Sequence, residues 1–218
     1  RGWLGVHIQG VTDEIAETLG LDKARGALVA NIVKGGPAEK AKIKPGDVIL
    51  SFNGKDVPEM RKLPRMVAET PVDKTVDMVV WRANKKITLK AKVGKLEEEK
   101  AQAAANKSGK STTATAEVEI EGLGLSLAAV NADTKNRFKL QGDVKGVVVT
   151  KVKDGGVAAE KGIRPGDVIV EVSQAEVSTP AQVVAKIVKA RDAGRKSVLM
   201  LIEGQGGLRF VAIRVDKG

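Results

Sequence analysis

The sequence offers few side chains that could carry out catalysis or bind a metal. It contains no Cys and a single His, His7, among 218 residues. Without Cys there is no thiol nucleophile, disulfide or cysteine-ligated zinc, and one His cannot form a multi-histidine metal site. His7 lies in the alternating segment Val-His-Ile-Gln, which is typical of a half-exposed strand residue. Because nucleophile-elbow and phosphate-loop motifs are also absent, the sequence predicts no catalysis, no cofactor and no metal site.

Backbone groups offer a different chemistry, the binding of an anion. Two short segments, Arg1-Gly2-Trp3-Leu4-Gly5-Val6 and Glu121-Gly122-Leu123-Gly124-Leu125, place glycines directly before an apolar strand. Glycines let successive N–H groups converge into a concave nest, which binds an anion without a cationic side chain. A peptide paired with the following strand would place its terminal carboxylate there. Both loops are therefore candidate peptide sites, and a tight turn without a ligand is the alternative for each.

The two loops belong to two copies of one sequence unit. Residues 25–57 and 145–177 align without a gap at an offset of 120, with 12 of 33 positions identical. Such a long period excludes a solenoid and indicates two domains. The residues between the copies are rich in Ala, Lys, Glu, Ser and Thr, and cannot build a core. We predict a first domain over 1–94, a linker over 95–117 whose first half favours a helix, and a second domain over 118–218.

Each copy has the same predicted order of strands and helices. After the first strand, copy one has a helix that Thr12 caps and Gly20 ends, and copy two has a weaker helical pattern there. A second helix, predicted over 59–69 and 180–191, precedes a closing β-hairpin. Pro64 lies inside the first of these and predicts a kink or a later start. We expect a mainly β fold with helices (α+β), each copy a partly open β-barrel or sandwich of about five to six strands and two helices.

The charge and hydropathy exclude two classes of partner. The net charge of +10 at pH 7 is spread over both copies, whereas nucleic-acid-binding proteins more often carry a basic cluster with interleaved aromatic residues. No apolar run approaches the length of about 18 residues that a membrane span needs. The composition therefore indicates neither a nucleic-acid partner nor membrane association. Because the chain begins at Arg1 without Met or a signal peptide, we expect a fragment or a processed product.

These motifs together resemble a known family. The Gly-Leu-Gly-apolar loop, the Pro-Gly-Asp block and the helix before the final hairpin resemble PDZ domains of the circularly permuted bacterial type. The segments RGWLGV, TDEIAETLGL and RGALV and the tandem arrangement further resemble the C-terminal half of HtrA/Deg (Do-like) serine proteases. In that family a trypsin-like domain with a Ser-Gly-Gly motif precedes the PDZ pair. Since that motif is absent here, the resemblance implies the non-catalytic regulatory region of a serine endopeptidase.

The resemblance also implies which residues bind the peptide. The N–H groups of the loop would hold the ligand carboxylate, Arg1 would add positive charge, and the strand Val6–Gln9 would pair with the peptide. Residues on one face of the second helix would wall the pocket for the last peptide side chain, although each of them could equally be a core residue. The set expected in copy one is Arg1, Gly2, Trp3, Leu4, Gly5, Val6, His7, Ile8, Met60, Leu63 and Val67. The weaker set in copy two is Gly122, Leu123, Gly124, Leu125, Ser126, Leu127, Val183 and Ile187.

The function that the resemblance implies is periplasmic protein quality control. The PDZ pair would capture C-termini or extended segments of unfolded or misfolded proteins, and would help to activate the protease and to assemble a homo-oligomer, which is trimer-based in the family. The absence of Cys fits an oxidising compartment without demonstrating it. Two alternatives stay open: a module that mainly holds subunits together, and a tandem PDZ scaffold of another protein, such as a site-2-type membrane protease.

The two copies are not expected to bind equally well. Arg1 lies beside the first loop, whereas Glu119 and Glu121 lie beside the second. Each like charge near an incoming carboxylate opposes it by about 1 kcal/mol at a protein surface. We therefore predict that copy one is the main peptide site, with an affinity on the order of micromolar.

Overall fold

The chain divides into two compact units, unit 1 (Arg1–Ala101) and unit 2 (Gln102–Gly218). The computed structural model describes residues 1–96, 117–120, 122–140, 142 and 144–215. From residue 97 onwards the predicted linker helix lies outside the described residues. The domain limits 1–94, 95–117 and 118–218 therefore stay predictions.

Unit 1 is a mainly β domain in which the strand after the glycine loop lies at a sheet edge. Its elements are β1 (Gly2–Trp3), β2 (Val6–Gly10), α1 (Asp13–Leu19), β3 (Ala27–Ile32), α2 (Pro37–Lys40), β4 (Val48–Phe52), β5 (Lys55–Asp56), α3 (Lys62–Glu69), β6 (Thr75–Arg82), β7 (Lys85–Lys92) and β8 (Gly94–Lys95). The antiparallel sheet has the order β2-β3-β4-β6-β7, with β5 paired to β4, and β1 pairs with β8. Within the described residues, β2 therefore has a partner on one side only.

Unit 2 repeats this arrangement and adds one strand at that edge. Its elements are β9 (Val118–Ile120), β10 (Leu125–Ala129), α4 (Ala132–Phe138), β11 (Val147–Val152), α5 (Val157–Glu160), β12 (Val168–Val172), β13 (Ala175–Glu176), α6 (Pro180–Asp192), β14 (Ser197–Gly204) and β15 (Gly207–Arg214). The sheet has the order β15-β14-β12-β11-β10-β9, with β13 paired to β12. Strand β10, the equivalent of β2, is therefore paired on both sides, because β9 lies along its outer edge.

The predicted fold class is confirmed. Both units are mainly β with helices, and both sheets are open rather than closed into a barrel. The weak helical pattern of copy two forms α4, because Asn131 and Thr134 cap it reciprocally: the Thr134 N–H donates to Asn131 Oδ1 at 2.9 Å and the Asn131 N–H donates to Thr134 Oγ1 at 2.8 Å. The sequence analysis predicted no strand over residues 118–120, where the structure has β9.

The helix before the closing hairpin starts at different points in the two units. In unit 2, α6 begins at Pro180 as predicted, with Thr179 as its N-cap. In unit 1, α3 begins at Lys62, later than the predicted Glu59. This start places Pro64 in the first turn, where a backbone N–H has no partner within the helix. The later start, rather than a kink, is therefore how the fold accommodates this proline.

A buried ion pair holds the Pro-Gly-Asp turn of unit 1. Asp47 is 1% exposed and accepts hydrogen bonds from Arg82 Nε at 2.7 Å, from Arg82 Nη2 and from the Lys44 N–H at 2.9 Å. The hydrogen bonds to this carboxylate raise the pKa of the Arg82 guanidinium. In unit 2 the equivalent Asp167 lies 3.6 Å from Arg209 Nη2, a looser contact. Both aspartates directly follow a Pro-Gly turn.

Candidate functional site

The glycine loop of unit 1 turns its carbonyl groups into the fold and its N–H groups away from it. The Leu4 carbonyl accepts a hydrogen bond from the Ala38 N–H, and the Gly5 carbonyl accepts one from the Val33 N–H, both at 2.9 Å. The C=O and N–H of a trans peptide group point in opposite directions, so the N–H groups of Gly5 and Val6 point away from α2 and β3. Two consecutive donors therefore face the unpaired side of β2.

The first donors of this loop have no acceptor in the part of the chain that the structure describes. The N–H groups of Leu4 and Gly5 make no hydrogen bond to a described residue. Gly5 adopts a φ of +76°, in the left-handed region that glycine enters without strain. Backbone donors away from bulk water need an acceptor. The loop is thus a nest of N–H groups that suits the two oxygens of a carboxylate.

Close packing fixes the position of the loop. A Cβ added to Gly2 would lie 2.2 Å from the Val67 carbonyl oxygen, so β1 lies directly against the last turn of α3. A Cβ added to Gly5 would lie 3.3 Å from the Trp3 ring, which therefore packs against the loop. Trp3 is half-buried and supports the loop, while Arg1 and the His7 side chain are exposed.

Several apolar side chains of β2 and of the segment 60–66 keep accessible surface. Four of them are half-buried and pack against the core of unit 1: Val6, Ile8, Met60 and Met66. Of the helix residues that the sequence analysis selected, Leu63 and Val67 are 1% and 6% exposed and belong to the core itself. Met60 retains accessible surface and lies close to Gly10 at the far end of β2. Met66 was not selected, although it occupies the same helix.

Unit 2 contains the same loop geometry. The Leu123 carbonyl accepts a hydrogen bond from the Ala158 N–H at 3.2 Å, and the Gly124 carbonyl accepts one from the Lys153 N–H at 2.7 Å. Gly124 has a φ of +67°, close to the value of its counterpart in unit 1. The same trans-peptide argument turns the N–H groups of Gly124 and Leu125 away from α5 and β11.

In unit 2, however, the chain itself occupies the space in front of the loop. Strand β9 pairs antiparallel with β10, with Ile120 opposite Leu125, and α6 packs against both strands. The Ile120 carbonyl accepts a hydrogen bond from the Leu123 N–H at 3.4 Å. Ile120 is 6% exposed and belongs to the same core as Val183 and Ile187. The groove that the second set of predicted residues would form is therefore filled.

The charges near the second loop differ from those that the sequence analysis considered. Glu119 is exposed on β9, and Glu121 lies outside the described residues. A cation from α6 lies nearby, because a Cβ added to Gly122 would come 3.3 Å from Arg191 Nη2. This arginine is about 70 positions from the loop in sequence, so no local motif identifies it.

The described residues contain neither a metal site nor a membrane span. Among them, no group of three or more His, Cys, Asp or Glu side chains could hold a metal ion. None of the helices they form is both long and apolar enough to cross a membrane.

Comparisons with known proteins identify both units. A PDZ domain family model matches residues 2–93, and a second PDZ domain model matches residues 112–203. The chain is 37% identical, over its whole length, to a probable periplasmic DegP-like serine endoprotease of Bartonella henselae and to another of Rhizobium meliloti. It spans 41% and 42% of the lengths of these two proteins. Among solved structures, the HtrA-type protease AlgW with a decapeptide is 39% identical, with a TM-score of 0.40, over 43% of this chain and 29% of that chain.

These matches confirm the family that the sequence motifs indicated. The relatives match the whole chain, and the chain consists of the PDZ portion rather than a protease domain. The chain is therefore a tandem pair of PDZ domains, homologous to the PDZ region of DegP-like serine endoproteases.

Proposed function

We propose that unit 1 binds the C-terminal end of an extended polypeptide, with the terminal carboxylate in the loop Leu4–Val6. The observation that carries this proposal is the outward orientation of the Gly5 and Val6 N–H groups beside the unpaired edge of β2. A carboxylate is the anion that accepts several converging N–H groups at once, and such charge-assisted hydrogen bonds are stronger than neutral ones.

The rest of the peptide would add a strand to the sheet of unit 1. The exposed edge of β2 offers backbone donors and acceptors in register with an antiparallel strand. The last peptide side chain would lie beside the half-buried Val6 and Met66, which favours an apolar residue there, and Met60, close to Gly10, would contact an earlier residue of the peptide. Methionine side chains adapt to different partners, which suits a site for varied sequences. Arg1 would attract the carboxylate over a longer distance.

The wider role that we propose is substrate capture for a periplasmic serine endoprotease. It is supported by the names of the relatives, which are periplasmic DegP-like serine endoproteases, and by their identity over the whole chain. The chain spans about two fifths of their length, so the proteolysis would be carried out by a domain outside it. Unfolded proteins expose apolar C-terminal ends, which are the ligands that the groove suits. Homo-oligomer assembly and control of the protease are further parts of this proposal.

The binding mode is tested by removing the ligand's charge. The full chain is titrated calorimetrically with a six-residue peptide that ends in Val, once as the free acid and once as the C-terminal amide. We expect an acid affinity on the order of micromolar and at least a tenfold loss for the amide, since one hydrogen bond to a charged group contributes about 1.5–3 kcal/mol.

A peptide ending in Asp instead of Val is the control for the apolar pocket. It keeps the terminal carboxylate and should bind at least tenfold more weakly, because a buried side-chain charge has no partner beside Val6 and Met66. Equal affinity of the acid and the amide would contradict the carboxylate-binding loop.

A further inference from the structure

Strand β9 occupies the groove of unit 2 in the manner of a bound peptide. It runs antiparallel to β10 and ends at the glycine loop, and it packs against α6. The Ile120 carbonyl oxygen lies where a ligand carboxylate would lie, because it accepts a hydrogen bond from the Leu123 N–H. The Ile120 side chain fills the position of the last ligand side chain, within the core that contains Val183 and Ile187.

We propose that residues 117–120 are a built-in ligand of unit 2, and that unit 2 is a second, closed site for peptides of the same pattern with a free C-terminus. The proposal extends the peptide-binding function of unit 1 and rests on it for the role of the groove. It differs from the charge argument of the sequence analysis, because unit 2 is closed by a competing strand rather than by repulsion.

The built-in segment defines the chemical pattern of the ligand. Ile120 is buried, so the last residue should be aliphatic. Glu119 is exposed, so the preceding position is unrestricted, and Val118 is half-buried, which favours an apolar residue. The fourth position from the end is acidic, because Glu117 accepts a hydrogen bond from the buried Thr150 hydroxyl. Lys151 Nζ also lies 3.6 Å from Glu117 Oε2.

A tethered segment competes strongly with free peptide. A short connection gives the tethered strand an effective concentration in the millimolar range. A free peptide at about 0.1 mM would therefore displace β9 in only a minor fraction of molecules, unless its terminal carboxylate adds affinity. Weakening β9 should thus raise the apparent affinity of unit 2 at least tenfold.

The test uses the chain's own sequence as the probe. A peptide with the sequence of residues 115–120 (Thr-Ala-Glu-Val-Glu-Ile) and a free C-terminus is added to the full chain, and amide hydrogen exchange is read by mass spectrometry. In the variant Ile120→Asp, β9 should leave the groove, and the peptide should then protect β10 and α6. The wild-type chain and the control variant Glu119→Ala, which changes only an exposed side chain, should show at least tenfold weaker protection there.

A reversible disulfide between β9 and β10 tests the same proposal without a substitution in the core. Since the Leu125 N–H faces β9, the next pair, Ser126 and Glu119, is a non-hydrogen-bonded pair, whose short Cα separation suits a disulfide. The double variant Glu119→Cys with Ser126→Cys contains the chain's only cysteines. Its oxidised form should exclude the peptide from unit 2 at every concentration, and its reduced form should admit it at high concentration.

Three outcomes would overturn the proposal. One is that the added peptide increases the protection of the β10 amides equally in the wild-type chain and in Ile120→Asp. Another is no protection in that variant while β11 and β14 still exchange slowly, as in a folded unit 2. If Ile120→Asp unfolds unit 2, the double-cysteine variant provides the test. Equal binding of the peptide by the oxidised and reduced forms of that variant would refute the proposal. Failure of the function proposed for unit 1 would be distinguishable, because a Val-ended peptide would then leave β2 and α3 unprotected.

Discussion

Replacing Gly5 by Ala should weaken peptide binding by at least as much free energy as it costs the fold. At a φ of +76°, an alanine costs about 1–2 kcal/mol, and its Cβ would lie 3.3 Å from the Trp3 ring. The strain is relieved by rotating the Leu4–Gly5 peptide group, which turns the Gly5 N–H out of the nest. Losing one hydrogen bond to a carboxylate weakens binding by about 1.5–3 kcal/mol, which is roughly tenfold to 150-fold in Kd.

Gly35 provides a matched control for this substitution. Its φ is +77°, and a Cβ added to it would meet no atom within 4 Å. The variant Gly35→Ala should therefore lose the same backbone part of the free energy of unfolding, about 1–2 kcal/mol, without the Trp3 contact, and keep its affinity for peptide. Both tryptophans of the chain, Trp3 and Trp81, lie in unit 1, so denaturation followed by tryptophan emission reports on this unit alone. If calorimetry gave the two variants affinities within threefold of each other, the reasoning about the loop would be refuted.

Two further predictions concern the stability of the units. Arg82→Met should lower the free energy of unfolding of unit 1 by about 3–5 kcal/mol, because it leaves the buried Asp47 charge without a cation and with only the Lys44 N–H as a hydrogen-bond donor, whereas Arg209→Met in unit 2 should cost about 1 kcal/mol or less. Similar losses in denaturant titrations of the two variants would contradict this difference. Glu176→Gln should stabilise unit 2 by about 0.2–1 kcal/mol, since Glu176 lies directly opposite Glu171, and burial together with this neighbour raises the Glu171 pKa. The gain should develop as the pH rises from the ordinary carboxyl pKa through the raised one; a gain that is instead largest below the ordinary pKa would count against it.

The strand after each loop and the turns were predictable because short-range chemistry determines them. The Pro-Gly-Asp block needs a left-handed glycine, and both Gly46 and Gly166 have a φ of +95°. The closing hairpin was expected in each copy, and that of unit 1 turns between β6 and β7 at Ala83 and Asn84, which both have positive φ. Local patterns of this kind therefore predict the positions of most strands and turns.

The details of the site depended on contacts that local patterns do not encode. Helical periodicity placed Leu63 and Val67 on one face of α3, but it cannot tell a groove wall from a core contact, and both residues are buried. Strand β9 has only three residues, and three alternating residues are too few to predict a strand. It is a strand because it pairs with β10. Arg191 reaches the second loop from α6, far along the chain.

The central claim, that the loop of unit 1 receives a carboxylate, is tested most directly by backbone amide resonances. In ¹H–¹⁵N spectra of the full chain, the amide protons of Leu4, Gly5 and Val6 should move downfield when the Val-ended acid peptide is added. They should move much less with the C-terminal amide, because only the acid supplies a charged acceptor. If the acid and the amide shifted these three amides equally, or if the acid shifted other amides and left these unchanged, the account of the site would be contradicted.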